Sequence, residues 1–429
     1  MIFICVYIAA VMAALSLMIF PGKNRMVSGE DVVSDAAGNF MAVSLLLMLM
    51  MYPIFSGDNS HSYSVFMVRD YHVDLSNVVS DYLKIIRYLR IERHDDISYY
   101  LRFGVYGLVI LCSVFLFFAG MYVYKYGFKI RHKILLILPV VLSVIGIAYR
   151  VNSYKKYRSE DPSYFVLSVL LRLIRLLIEY LMSTAVMIVI LYIAYKVLKM
   201  ILRCEILPLI IILILSFFPS EYLIDWDRVQ IPNLKNLIWG ANIPLFPIGM
   251  LVMKYKDMFL PKSLKRTVIW SIVWTGLGTA SLITLFNLQS ICIKRSGIHV
   301  HRVGCGPWEQ AYVDRLNKLV IGISRATAIP WLILGLSIAM LFLNLSLRIR
   351  TGNRFTLFLR KHIFIVMILH LCNYIWYYNV FSDCVWALLV KMKIENAVIT
   401  SVVWILIYFG IAVVLKRFIF DKIDAKRKA

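Results

Sequence analysis

The residues with the most chemistry in them stand in a polar stretch directly after an apolar run. The stretch FSGDNSHSYSVFMVRDYHVDLSNVVSDYLKIIRYLRIERHDD mixes Asp58, His61, Tyr63, Arg69, Asp70 and His72, and Arg87, Arg90 and His94 follow at helical spacing. A carboxylate or imidazole beside arginines suits sugar transfer from a phosphate-linked donor. The base takes the proton of an attacking hydroxyl, and the cations stabilise the departing phosphate. On that reading Asp58 or His61 is the base, and Arg69, Arg87 and Arg90 grip a pyrophosphate, because the guanidinium fork binds phosphate oxygens in pairs. The plainer reading is an amphipathic helix lying on a membrane surface.

Three further places carry weaker signals. In SYFVLSVLLRLIRLLIEYL, Arg172 and Arg175 lie about one turn apart on one helix face, and Glu179 follows Arg175 at i+4. They form either a cationic wall for a phosphate-bearing lipid or an interfacial helix with snorkelling arginines. In CIKRSGIHVHRVGCGPWEQAYVDRL, Lys294, Arg295 and Arg302 offer charge to an anion, and Trp308 and Tyr312 offer faces to a sugar ring. His299 and His301 lack a third ligand at standard spacing, so no metal site is expected. An ordinary connecting loop is the competing reading. His370, alone among aromatics, reads as a hydrogen-bonded core residue more readily than as a catalyst.

The elements that must position these residues are apolar. Of 429 residues 61% are hydrophobic and 17% charged, and the apolar residues come in blocks. Backbone groups in lipid must be satisfied within the chain, so the blocks are helices. The expected class is all-α, a polytopic integral membrane protein of about 11 transmembrane helices, forming a single multi-pass domain over 1–429. The hairpin around Lys125–Lys133 sets the orientation, because short loops rich in Lys and Arg stay in the cytoplasm. The expected spans are 2–20, 38–56, the two flanking the hairpin, 183–199, 206–218, 238–253, 267–287, 326–346, 362–380 and 396–415. Segment 163–181 is a lateral or re-entrant helix. Basic cytoplasmic loops fall at about 125–133, 254–266 and 347–361, and outer loops at about 57–104 and 288–325. The N-terminus is then outside and the C-terminus inside. Net charge is +23; loops facing anionic lipid heads account for it, so nucleic acid is not an expected partner. The cysteines are scattered, with Cys292 and Cys305 near enough in sequence to pair. Walker, GxGxxG, GxSxG and HExxH motifs are absent, so neither ATP-driven transport nor zinc hydrolysis is expected and no cofactor is called for.

Residues 1–220 resemble the Wzy/EpsG-type polysaccharide polymerases. That family has two N-terminal spans, a G-x-D…Y…F element entering an outer loop, and later an arginine-bearing helix. The counterparts are Gly57, Asp58, Tyr63 and Phe66, then Arg172 or Arg175. Gly57 and Asp58 are adjacent here, which departs from the family spacing. The resemblance implies an undecaprenyl-pyrophosphate-linked oligosaccharide as substrate in a bacterial inner membrane, with a chain-length regulator and a flippase as partners beside membrane lipids. Residues 105–429 are similar to the membrane acyltransferase-3 family in VFLFFAGMYVYKYGFK, IPLFPIGMLVMKYK and RKHIFIVMILHLCNYIW. The Arg…His pair of that family's first helix has no counterpart in NFMAVSLLLMLMMYPIF. Both resemblances imply work on a surface glycan. Repeat-unit polymerisation is the leading expectation; O-acylation of a surface glycan and transport of a precursor are its rivals.

Overall fold

The computed structural model describes residues 12–13, 15–16, 19, 32–55, 96–128, 184–217, 242–296, 310–348, 352–375 and 397–421. Among them the regular elements are helices, with no strand. They are α1 (Val32–Phe55), α2 (Asp96–Tyr126), α3 (Thr184–Leu202), α4 (Ile206–Phe217), α5 (Leu245–Lys254), α6 (Lys256–Phe259), α7 (Leu264–Ser296), α8 (Gln310–Ser346), α9 (Arg354–Ile375) and α10 (Ala397–Leu415), which ends in a π-turn over Lys416–Phe420.

Four of these helices are long and apolar enough to cross a membrane: α1 through Val32–Met50, α2 through Val109–Tyr126, α7 through Leu264–Leu288 and α8 through Thr327–Ser346. Helix α4 is apolar but only 12 residues long, and α5 only 10. At 1.5 Å per residue α5 covers about 15 Å, half of the ~30 Å of a hydrocarbon core, although a span was expected over 238–253. Helix α4 fills the expected span 206–218 as far as Phe217, where the described residues stop. Prolines set where both begin. Pro208 stands in the first turn of α4, and Pro244 and Pro247 bracket the start of α5, where a missing N–H costs no helical bond. Other helices outrun their expected spans. Helix α2 starts at Asp96, α7 runs to Ser296, and α8 starts at Gln310, so helical backbone extends into both polar segments, 57–104 and 288–325.

Helix starts carry visible caps. Asn353 and Thr356 cap α9 reciprocally: the Thr356 N–H donates to Asn353 Oδ1 at 2.9 Å and the Asn353 N–H to Thr356 Oγ1 at 2.8 Å. Ser263 Oγ accepts from the Arg266 N–H at the start of α7. Gly352 leads into α9 at φ +103°, the left-handed region that glycine occupies without strain.

The core forms where α1, α2, α5, α8 and α9 meet. Phe40 stacks on Phe118 at 4.7 Å and tilts against Phe342 at 5.2 Å, tying α1, α2 and α8 together. Helices α2 and α5 run parallel and cross at two glycines. A Cβ on Gly120 would sit 2.0 Å from the Phe246 carbonyl oxygen, and one on Gly249 would sit 2.0 Å from that of Phe117. The two backbones therefore touch, which only small residues permit. Two turns away from the glycines, the Ser113 hydroxyl donates to Asn242 Oδ1 at 2.9 Å and Gly335 of α8 closes over Ser113.

Helix α7 is different. Only 22% of its span is buried, and it exposes Val268, Ile269, Ile272, Val273, Leu277 and Ile283. A contiguous apolar face of this kind needs a non-aqueous neighbour. Its exposed hydroxyls do not interrupt that face. Thr275, Thr279 and Thr284 donate to the carbonyls of Ser271, Thr275 and Ala280 of their own helix.

Candidate functional site

The directions of the helices sort the molecule into two ends. The starts of α1, α7 and α9 and the finishes of α2, α3, α5, α8 and α10 lie together, and they are basic. Lys125, Lys199, Lys254, Lys256, Lys262, Lys265, Arg266, Arg348, Arg354, Arg360, Lys361, Lys416 and Arg417 all belong to these termini. Three contacts hold this basic end in place.

The first joins α1, α2 and α9. Arg360 Nη1 donates to Asp35 Oδ1 at 3.1 Å, with both side chains largely buried. The guanidinium lies 5.9 Å from the Tyr122 ring centroid. Gly38 makes room for it: a Cβ there would stand 2.6 Å from Arg360 Nε. Asp35 sits in the first turn of α1, where the helix dipole also favours a carboxylate.

The second closes the break between α3 and α4. Arg203 turns the chain at φ +49°. Glu205 then bridges two lysines, accepting from Lys199 and, at 3.1 Å, from Lys254 of α5. These lysines, Lys199 first, hold the Glu205 carboxyl below its ordinary value. Backbone N–H groups of Leu207 and Ile206 point at Cys204 and push its exposed thiol down. Tyr124 and Tyr195 pack beside this cluster at 6.2 Å between centroids, and Phe128 beyond them meets Tyr192 and Phe364.

Glu205 makes a pH-dependent contribution with a definite sign. Its folded pKa lies below the ordinary 4.5, so the stabilisation is complete above that value and is lost as pH falls through the folded pKa. The carboxylate is 41% exposed, so solvent screening limits the effect to about 0.2–1 kcal/mol. In thermal unfolding at a series of pH values, Glu205→Gln should be slightly less stable than the parent at neutral pH. The two curves should converge below about pH 4. A gap that persists undiminished in acid would show that the carboxylate charge is not the cause.

The third contact surrounds a pocket of about 340 Å³ lined by Val33, Lys256, Asp257, Leu260, Pro261, Lys262, Leu347 and Arg348. Arg348 is tied across α7 and α8 by two donations to Thr267 Oγ1, at 3.2 and 3.0 Å. Apart from these contacts, His362 is buried on α9, with Nδ1 2.8 Å from the Phe358 carbonyl oxygen and its ring against Phe358.

Of the residues singled out in the sequence, Asp58, His61, Arg69, Arg87, Arg90, Arg172, Arg175 and Arg302 lie outside the described residues. So do His299, His301, Cys305 and Trp308. Cys292 falls within α7 and His370 within α9. The basic end was legible as loop charge. Its acidic partners, Asp35 and Glu205, were not singled out. Glu205 could have been found as a lone acid between basic residues and an apolar run, whereas Asp35 stands in sequence beside Glu30 and Asp31 and carries no such signal. No protein-family model matches the sequence, and it has no match among curated proteins or solved structures.

Proposed function

We propose that the chain polymerises lipid-linked oligosaccharide repeat units into a cell-surface polysaccharide, at the outer face of a bacterial inner membrane. The observation that carries this reading is the direction of four helices. Helix α1 starts at the basic end, with Asp35 against Arg360, and runs about 36 Å away from it to Phe55, three residues before Asp58. Helix α2 begins at Asp96, on the far side, and returns to Tyr126. Helix α7 leaves the basic end at Leu264 and finishes at Ser296, and α8 starts at Gln310 and returns to Arg348. The segments bearing Asp58, His61, Arg69, Arg87 and Arg90 on one side and Arg302 on the other thus depart from, and rejoin, the same end. Basic termini stay in the cytoplasm, so that end faces outward. The sidedness expected from loop charge is kept, with about eleven spans, the N-terminus out and the C-terminus in.

In this reading a sugar hydroxyl of one repeat unit attacks the anomeric carbon of another. Asp58 or His61 takes the hydroxyl proton as the new C–O bond forms. The bond to the pyrophosphate breaks, and the arginines stabilise the departing diphosphate. The lipid diphosphate is itself the leaving group, so nucleotide and metal are not required.

Deleting the gene should abolish the ladder of chain lengths on a polysaccharide gel and leave a single repeat unit on its anchor. Asp58→Asn or His61→Gln, whichever removes the base, should slow chain growth by about 10²–10⁴. Arg172→Gln and Arg175→Gln should weaken use of the lipid-linked unit. An intact ladder in the deletion strain would refute the reading. A second reading, O-acylation of the glycan, has one observation in its favour. His362 sits buried at the basic end with Nδ1 bonded to a carbonyl, which leaves Nε2 as its basic nitrogen. An intact ladder with lost acyl groups, reproduced by His362→Gln, would establish it.

A further inference from the structure

The pocket among Val33, Lys256, Lys262 and Arg348 belongs to neither reaction. Three of its lining side chains are cations and one, Asp257, is an acid. The other lining groups, Val33, Leu260, Pro261 and Leu347, are apolar. Its volume of about 340 Å³ suits a small polar head with the root of an apolar tail. Arg348 does not swing free: two of its N–H groups are fixed on Thr267, so part of its ordering cost is met before any ligand arrives.

The surroundings indicate which anion the pocket takes. Met258 and Leu264, flanking the loop that carries Lys262, are 71% and 66% exposed. Trp270 and Trp274 stack at 6.0 Å on α7, and Trp270 lies about 9 Å along the helix from Leu264. A partly exposed tryptophan at that depth on an otherwise lipid-facing helix marks the headgroup level of a bilayer. The cationic pocket therefore stands just above the level where phosphates of a leaflet lie, with an apolar wall leading down from it.

We infer that this pocket is a binding site for the phosphodiester headgroup of an anionic membrane lipid in the leaflet at the basic end. Lys256, Lys262 and Arg348 hold the phosphate oxygens, and the acyl chains run down the exposed face of α7. A lipid seated there bridges the start of α1, the α6–α7 link and the end of α8. The inference rests on the membrane-crossing helices alone and stands whichever glycan reaction is correct.

Native mass spectrometry of the full chain in detergent tests it, titrating phosphatidylglycerol against phosphatidylcholine of the same chain length. One phosphatidylglycerol should be retained roughly tenfold more tightly than phosphatidylcholine. Lys256→Gln/Lys262→Gln, which leaves the packed core untouched, should remove most of that preference, and Arg348→Gln should do the same. Lys265→Gln/Arg266→Gln removes two neighbouring cations outside the pocket and should preserve it. Equal retention of the two lipids, or an equal loss in the neighbouring pair, would refute the site in favour of a diffuse basic surface. Competition by inorganic phosphate as effective as that by the lipid would also overturn the assignment, because it would make the ligand a soluble phosphate.

Discussion

Gly120→Ala should destabilise the protein by at least about 3 kcal/mol, the upper part of the range for overpacked cores, and Gly249→Ala should do the same. The added methyl carbon would lie 2.0 Å from a backbone carbonyl oxygen in each case. A side chain can rotate out of such a clash, but a helix backbone cannot. Helices α2 and α5 must separate by more than an ångström, and Phe117, Phe118 and Phe246, all fully buried around the crossing, must repack. The double variant should cost little more than either single one, because both break the same contact. Gly276→Ala and Gly410→Ala are the controls. Nothing lies within 4 Å of a Cβ at either position, so each should be neutral or stabilising by up to about 1 kcal/mol through helix propensity. Thermal unfolding in detergent, followed by size-exclusion chromatography, separates the two groups. If Gly120→Ala behaves like Gly276→Ala, the parallel crossing is wrong.

Breaking the Asp35–Arg360 pair should have the second-largest effect, and an asymmetric one. Removing one partner of a buried ion pair costs about 3–5 kcal/mol, because the other charge is left without its counter-ion. The two orphans differ. With Arg360→Met, Asp35 keeps the favourable N-terminal dipole of α1. With Asp35→Leu, Arg360 keeps the Tyr122 ring but, as the seventh residue of its helix, has no helix terminus to favour its charge. Asp35→Leu should therefore be the more damaging of the two. Asp35→Leu/Arg360→Met removes both charges and should recover most of the loss. A double-mutant cycle measures this directly, and additive losses in the double variant would show that the two residues do not interact.

What the sequence revealed and what it hid follow from the range of each interaction. Helices over the blocks at 38–56, 267–287, 326–346 and 396–415 were legible because apolar length is a local property. The gathering of basic termini at one end was legible too, because alternation of loop charge records the direction of every span. The crossing at Gly120 and Gly249 was not. Both glycines sit in GM pairs within apolar helices, and no local signal says that the two meet. The ion pair was equally hidden, since Asp35 and Arg360 are 325 residues apart. The start of α5 was drawn too early, because hydropathy counts Asn242–Pro244 within the apolar run, whereas the helix begins only at Leu245, after Pro244. The residues chosen for catalysis, Asp58 and His61, were found by their chemistry in a polar segment and lie outside the described residues.

The contact between α2 and α5 also sets a schedule for synthesis. Ser113 and Asn242, bonded beside the glycine crossing, are 129 residues apart in the chain. A ribosome adding about 5–20 residues per second needs on the order of 10 s to supply the second partner after the first. Throughout that interval α2 resides in the membrane with its glycine groove open, and whatever small-faced helix passes is a competitor for it. Fidelity of assembly then depends on keeping that groove covered by lipid or by α1 until α5 arrives. A pause in translation within the intervening 129 residues would lengthen the exposure without changing a single amino acid of the finished protein.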